Sequence, residues 1–101
     1  MLNIDKKSNA SELTLALTGR VDTTTAPELE SVVKQSLGGV TELIFDLAAL
    51  EYISSARLRV LLSTQKIMNK QGEMKLTHVS EDIMEIFEVT GFAEILTIEE
   101  L

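Results

Sequence analysis

Ser54 and Ser55 stand where one sequence pattern gives way to another, and the chemistry that suits such a place is the reading or writing of a phosphate. Before them lies the apolar run Leu43, Ile44, Phe45, Asp46 and Leu47, followed by Glu51, Tyr52 and Ile53. After them Leu58, Leu61, Leu62 and Met68 fall at helical spacing. The pair is therefore expected where a helix begins, after a short loop. A serine there shows its hydroxyl to solvent, and the free backbone N–H groups of a helix start favour negative charge. Serine is also a preferred N-cap, so the plainer reading is that Ser54 or Ser55 caps the helix and does nothing more.

Other chemistry finds little to build on. His78 is the lone histidine, and neither serine sits in a Gly-x-Ser-x-Gly elbow, so a hydrolase triad of Ser55, His78 and an aspartate exists only on paper. Without cysteine there are no disulfides and no thiolate metal ligands, and no metal or other cofactor is expected. No phosphate-cradling glycine loop is present, so the chain is not expected to bind ATP as an enzyme does, and with these constellations set aside no enzyme is expected. Asp22 has two open readings, a docking or positioning residue and an Asx-type turn ahead of a helix. Asp46 is either a buried acid of interest or an acid at a strand end. Arg59, Ser63, Lys66 and Lys70 recur on one helix side, as a solvated face does, with a docking site as the second reading.

Composition narrows the partner. The 101 residues carry 9 Lys plus Arg against 16 Asp plus Glu, a formal charge of −7. That lacks the basic footprint nucleic acid demands, and one tyrosine with three phenylalanines offers few stacking platforms. Anionic membrane is disfavoured for the same reason, and a protein with a basic docking surface is the natural partner. No stretch approaches spanning length, and Met1 to Lys7 has no apolar secretory core. A cytoplasmic protein, monomeric when free, is expected, with one domain over residues 1–101.

The elements that must position the serines read as alternating strands and helices. Leu13, Leu15 and Leu17 alternate with Thr14 and Thr18 as in a half-buried strand, preceded by a shorter one at Leu2 and Ile4. A helix is predicted from Thr25-Ala26-Pro27-Glu28, with capping-box spacing and Pro27 in its first turn, ending at Gly38-Gly39. Leu29, Val32, Val33 and Leu37 form its inner face. Leu43 to Leu47 suits a central strand covered on both faces. The second helix follows Ser55 and closes at Gly72. A strand over 74–79, a helix opened by Ser80-Glu81-Asp82 and stopped at Thr90-Gly91, and a last element near Leu96 and Ile98 complete the chain. The fold class is α/β, a mixed β-sheet with helices packed against it.

Four segments in order resemble one family. They are Gly19-Arg20-Val21-Asp22 with Ala26-Pro27-Glu28-Leu29; Asp46-Leu47 with Tyr52-Ile53-Ser54-Ser55-Ala56 and Leu58-Arg59-Val60-Leu61; Met74-Lys75-Leu76; and Val89-Thr90-Gly91-Phe92 with Ile95-Leu96. Together they are similar to the STAS domain of bacterial anti-sigma factor antagonists, over nearly the whole chain. The resemblance implies a binding protein that, unphosphorylated, engages an anti-sigma factor and frees a sigma factor. The partner it implies is a serine kinase of the histidine-kinase-like ATPase superfamily, with a PP2C-type phosphatase resetting the switch. The phosphorylated serine would be Ser55, and Asp22, Thr23, Ser54, Ala56, Arg57 and Arg59 would join it in contacting the partner. Family members often carry Asp before the phosphoserine, where this chain has Ser54, and usually Gly two residues after it, where this chain has Arg57. Arg57 either pairs with a phosphate on Ser55 or obstructs the kinase. An alternative within the same resemblance is a binding subunit of a lipid-transport ABC ATPase, without phosphorylation.

Overall fold

The computed structural model describes residues 2–99; Met1, Glu100 and Leu101, the ends of the domain expected over 1–101, lie outside them. In chain order it comprises β1 (Leu2–Asn9), β2 (Glu12–Val21), α1 (Ala26–Ser36), β3 (Glu42–Ile53), a 3-10 turn (Ser55–Arg57), α2 (Arg59–Gln71), β4 (Glu73–Thr77), α3 (Glu81–Thr90), a second 3-10 turn (Phe92–Glu94) and β5 (Ile98–Glu99). The five strands pair in sequence order. β1 and β2 form an antiparallel hairpin in which Asn9 faces Glu12, while β2, β3, β4 and β5 run parallel.

Each parallel step needs a crossover, and α1, α2 and α3 supply them. Crossovers of one hand that step in one direction place their helices on one face of a sheet. Strand burial agrees. Leu13, Leu15 and Leu17 in β2, Leu43, Phe45 and Leu47 in β3, and Met74 and Leu76 in β4 are buried, whereas Thr14, Ala16, Ile44, Asp46 and Lys75 between them are only partly covered. The expectation that Leu43 to Leu47 is covered on both faces is therefore corrected: hydrophobic Ile44 mimics a doubly buried strand, but no helix crosses its side. Phe45 and Phe87 lie at the centre of the single core, and each apolar side chain so buried contributes about 1.5–3 kcal/mol.

Local chemistry sets most boundaries. In α3, Ser80 Oγ accepts a hydrogen bond from Ile83 N at 3.3 Å, and Gly91 ends the helix at φ +82°. α1 begins as expected after Thr25, but the capping box is not made, because the Thr25 hydroxyl is engaged elsewhere. β4 stops at Thr77, short of the expected Val79, since His78 takes a left-handed φ of +55°. In α2, Leu62 is half-buried rather than part of the inner stripe, and Thr64 and Gln65 are buried instead. Thr64 satisfies its hydroxyl by donating to Val60 O at 2.7 Å. Gly72 joins α2 to β4 so close to the start of β3 that a Cβ there would collide with the Thr41 carbonyl oxygen.

Candidate functional site

The two loops that carry the expected site residues meet where β2 and β3 end. Val21 and Ile53 are register partners, and Ser54 N donates to Val21 O at 2.8 Å. Asp22 and Ser54 thus leave neighbouring parallel strands side by side, at the carboxyl end of the sheet, where parallel folds place their binding surfaces.

Asp22 folds its own loop. Its Oδ1 accepts from Thr24 N at 3.0 Å and Thr25 N at 3.1 Å, while its N donates to Thr25 Oγ1 at 2.9 Å. Thr25 Oγ1 in turn donates to Arg20 O at 2.8 Å. This is the Asx turn weighed from the sequence. The Thr25 N–H, with the Thr24 N–H and the Thr25 hydroxyl behind it, holds the Asp22 carboxyl below the usual aspartate range. Thr23 is exposed at the tip.

Ser55 is not at the start of α2, which corrects the expectation. Ser54 is extended, at φ −68° and ψ +132°, and the chain then makes a 3-10 turn over Ser55, Ala56 and Arg57. Arg57 N donates to Ser54 O at 2.8 Å, Leu58 is fully buried, and α2 begins only at Arg59. The turn lets Leu58 enter the core directly after Ile53 ends the strand. Ser54, at the cap position, makes no side-chain cap hydrogen bond, and Ser55 is the first residue inside the turn, so the helix-cap reading fails for both. Ser55 and Ala56 are exposed, and Ser54 is half-buried.

Ser55 borders a shallow cleft of about 270 Å³ whose other wall is α3, with Asp82, Glu85, Ile86, Val89 and Thr90. Arg57 and Arg59 line a different cleft, of about 280 Å³, against Pro27 and Glu30 of α1 and Ser63 of α2. At three residues per turn, side chains two apart on a 3-10 turn diverge by about 120°. Arg57 accordingly borders the cleft against α1 while Ser55 borders the cleft against α3.

Two features of this end escaped the sequence. Arg20 stacks on Tyr52, its guanidinium carbon 4.7 Å from the ring centroid, across the β2–β3 pairing. The α3 wall beside Ser55 was also missed, although Val89, an apolar residue on the outer side of an amphipathic helix and 81 % exposed, is the kind of signal that marks such a surface. His78 does not join Ser55. It meets Asp46 Oδ1 through Nδ1 at 3.2 Å and lines a separate cleft with Glu81, Met84 and Glu88, so the triad is not assembled. Among the described residues no group of three or more His, Cys, Asp or Glu could hold a metal.

A family model described as STAS domain matches residues 2–100. The chain belongs to the STAS domain family. This STAS domain is 30% identical over 98 residues to the anti-sigma-B factor antagonist of Bacillus subtilis (strain 168), covering 96% of this chain and 90% of that protein. Its fold superposes on the anti-sigma factor antagonist SpoIIAA in its unphosphorylated form, with a TM-score of 0.85 at 14% identity, covering 98% of this chain and 88% of that one. It is also similar to the Bacillus cell fate determinant SpoIIAA in the phosphorylated form, with a TM-score of 0.76 at 15% identity, covering 98% and 91%. The mixed sheet with helices on one face is thus the STAS fold.

Proposed function

We infer that this STAS domain is an anti-sigma factor antagonist and propose that Ser55 is its switch. Unphosphorylated, it binds an anti-sigma factor, a serine kinase of the histidine-kinase-like ATPase superfamily, through the paired loops at Asp22 and Ser54 to Arg59. The kinase then transfers a phosphate from ATP to the Ser55 hydroxyl, and a PP2C-type phosphatase hydrolyses it. This chain is the substrate in both steps and is not itself an enzyme. The observation that carries the proposal is an exposed Ser55 on a tight turn beside the Asp22 loop. Support also comes from a protein of the same fold having a phosphorylated form.

The turn explains how a small modification acts as a switch. A phosphate adds about −1.5 to −2 charges. On the free domain it stays in water, so the fold is kept. In a complex it is pressed into an interface already bordered by Asp82 and Glu85, where like charge and desolvation act together. The proposed circuit is cytoplasmic, and no helix among the described residues is long and apolar enough to cross a membrane.

The test is capture of partners from native lysate on the wild-type chain with ADP present, followed by ATP and intact-mass analysis. A serine-kinase-type ATPase should be retained, one phosphate should appear, and Ser55→Ala should abolish it. Ser55→Glu should weaken the complex at least tenfold, about 1.4 kcal/mol. Wild-type binding by Ser55→Glu would remove the switch, and recovery of a lipid-transport ABC ATPase would move the assignment to that complex.

A further inference from the structure

We propose that the cleft between α1 and α2, headed by Arg57 and Arg59, is a carboxylate-binding site that takes an Asp or Glu side chain of the anti-sigma factor. The identity of that partner rests on the function proposed above; the chemistry of the cleft does not. Three observations converge on it. Both arginines line the same cleft, and among the described residues neither takes part in an ion pair. The Arg57 Nε is buried and has no hydrogen-bond acceptor, an expensive condition for a guanidinium group that turning the side chain onto an acceptor in the cleft would relieve. Glu30, the carboxylate within the cleft, is engaged by Lys34 of its own helix at 2.9 Å rather than by either arginine.

Arginine presents its donors as a planar fork that matches a carboxylate with two parallel hydrogen bonds. Two such forks in one cleft, with Ser63 as a further hydroxyl, make a local cationic site on a chain whose net charge of −7 repels anions elsewhere. A carboxylate held there by charge complementarity would fix the register of the partner. The cleft shares no lining residue with the one that Ser55 borders, so a carboxylate seated in it leaves the Ser55 hydroxyl free.

The test is a nuclear magnetic resonance titration of the full chain, observing the arginine Nε–H signals at fixed ionic strength. The probe is the peptide acetyl-Ala-Glu-Ala-amide, compared with its Gln counterpart and with inorganic phosphate. A single charge-assisted contact predicts saturable shifts of the Arg57 and Arg59 signals with half-saturation on the order of tens of millimolar. The Gln peptide should leave these signals in place, as should the Glu peptide with the signals of Val89 and Thr90. Arg57→Gln should abolish saturation, Arg57→Lys should weaken it, and unchanged backbone spectra outside the turn would show that both variants fold. Non-saturable shifts, equal response to the Gln peptide, or saturation by phosphate alone would each overturn the carboxylate assignment. The titration contains no anti-sigma factor, so its failure removes this site and leaves the Ser55 switch standing. Failure of Ser55 labelling would do the reverse.

Discussion

At the scale of single residues, Ser55, Asp22 and Arg57 lie at one end of the sheet and meet different neighbours. Asp22 builds the loop beside Ser55 through an Asx turn, and its lowered carboxyl pKa comes first from the Thr25 N–H. A depressed aspartate pKa contributes stability above its unfolded value and loses it as pH falls through the folded one. Asn keeps the accepting oxygen without the charge. Thermal melts of wild type and Asp22→Asn should therefore differ above pH 3.8 and converge in stronger acid. Arg57 borders a different cleft from Ser55. Arg57→Gly should accordingly leave the rate of Ser55 phosphorylation by purified kinase unchanged, and a large change measured by intact mass would show that the two side chains share a surface after all.

At the scale of elements, the junctions matter more than the helices they join. The 3-10 turn drops Leu58 into the core and leaves Ser55 outside it, so local backbone geometry chooses which side chain is exposed. Gly72 does the equivalent work between α2 and β4. Its φ of 169° is open to any residue, and it is space that demands glycine, because an added Cβ meets the backbone oxygen of Thr41, which no rotamer change can move aside. Overpacking of this kind costs typically about 1–3 kcal/mol, and Gly72→Ala should lower the urea midpoint accordingly with little change in slope. The α3 cap offers a smaller effect of the same sort, through the single bond from Ile83 N to Ser80 Oγ.

At the scale of the whole molecule, a one-sided sheet leaves little redundancy. All three helices contribute to one core, and the opposite face of β2 and β3 stays partly open to solvent. Phe87 ties α3 to that core and is fully buried. Phe87→Ala should cost about 3–5 kcal/mol, a large share of the roughly 5–15 kcal/mol available to a domain of this size, readable as a fall in the urea midpoint. Since α3 also walls the Ser55 cleft, the same variant should weaken partner capture by loosening that wall.

Periodicity and capping chemistry are local, so the sequence alone established the order of strands and helices, the core positions Leu13, Leu15, Leu29, Leu43 and Met68, the Ser80 start of α3 and its Gly91 stop. It also placed Ser55 between the β3 strand and the following helix, through motif order. What it misread was set by contacts between distant segments. Ile44 looked buried because hydrophobicity does not say whether a second layer exists. Thr25 and Glu28 had capping-box spacing, but the Thr25 hydroxyl serves Arg20 and Asp22 instead. The helix expected at Ser55 starts at Arg59, because burial of Leu58 tightens the intervening turn. The stacking of Arg20 on Tyr52, the α3 wall beside Ser55 and the turning of Arg57 toward α1 join side chains through strand register and helix packing. Those relations exist only once the chain has closed on itself, because no spacing along the sequence encodes which surfaces a crossover brings together.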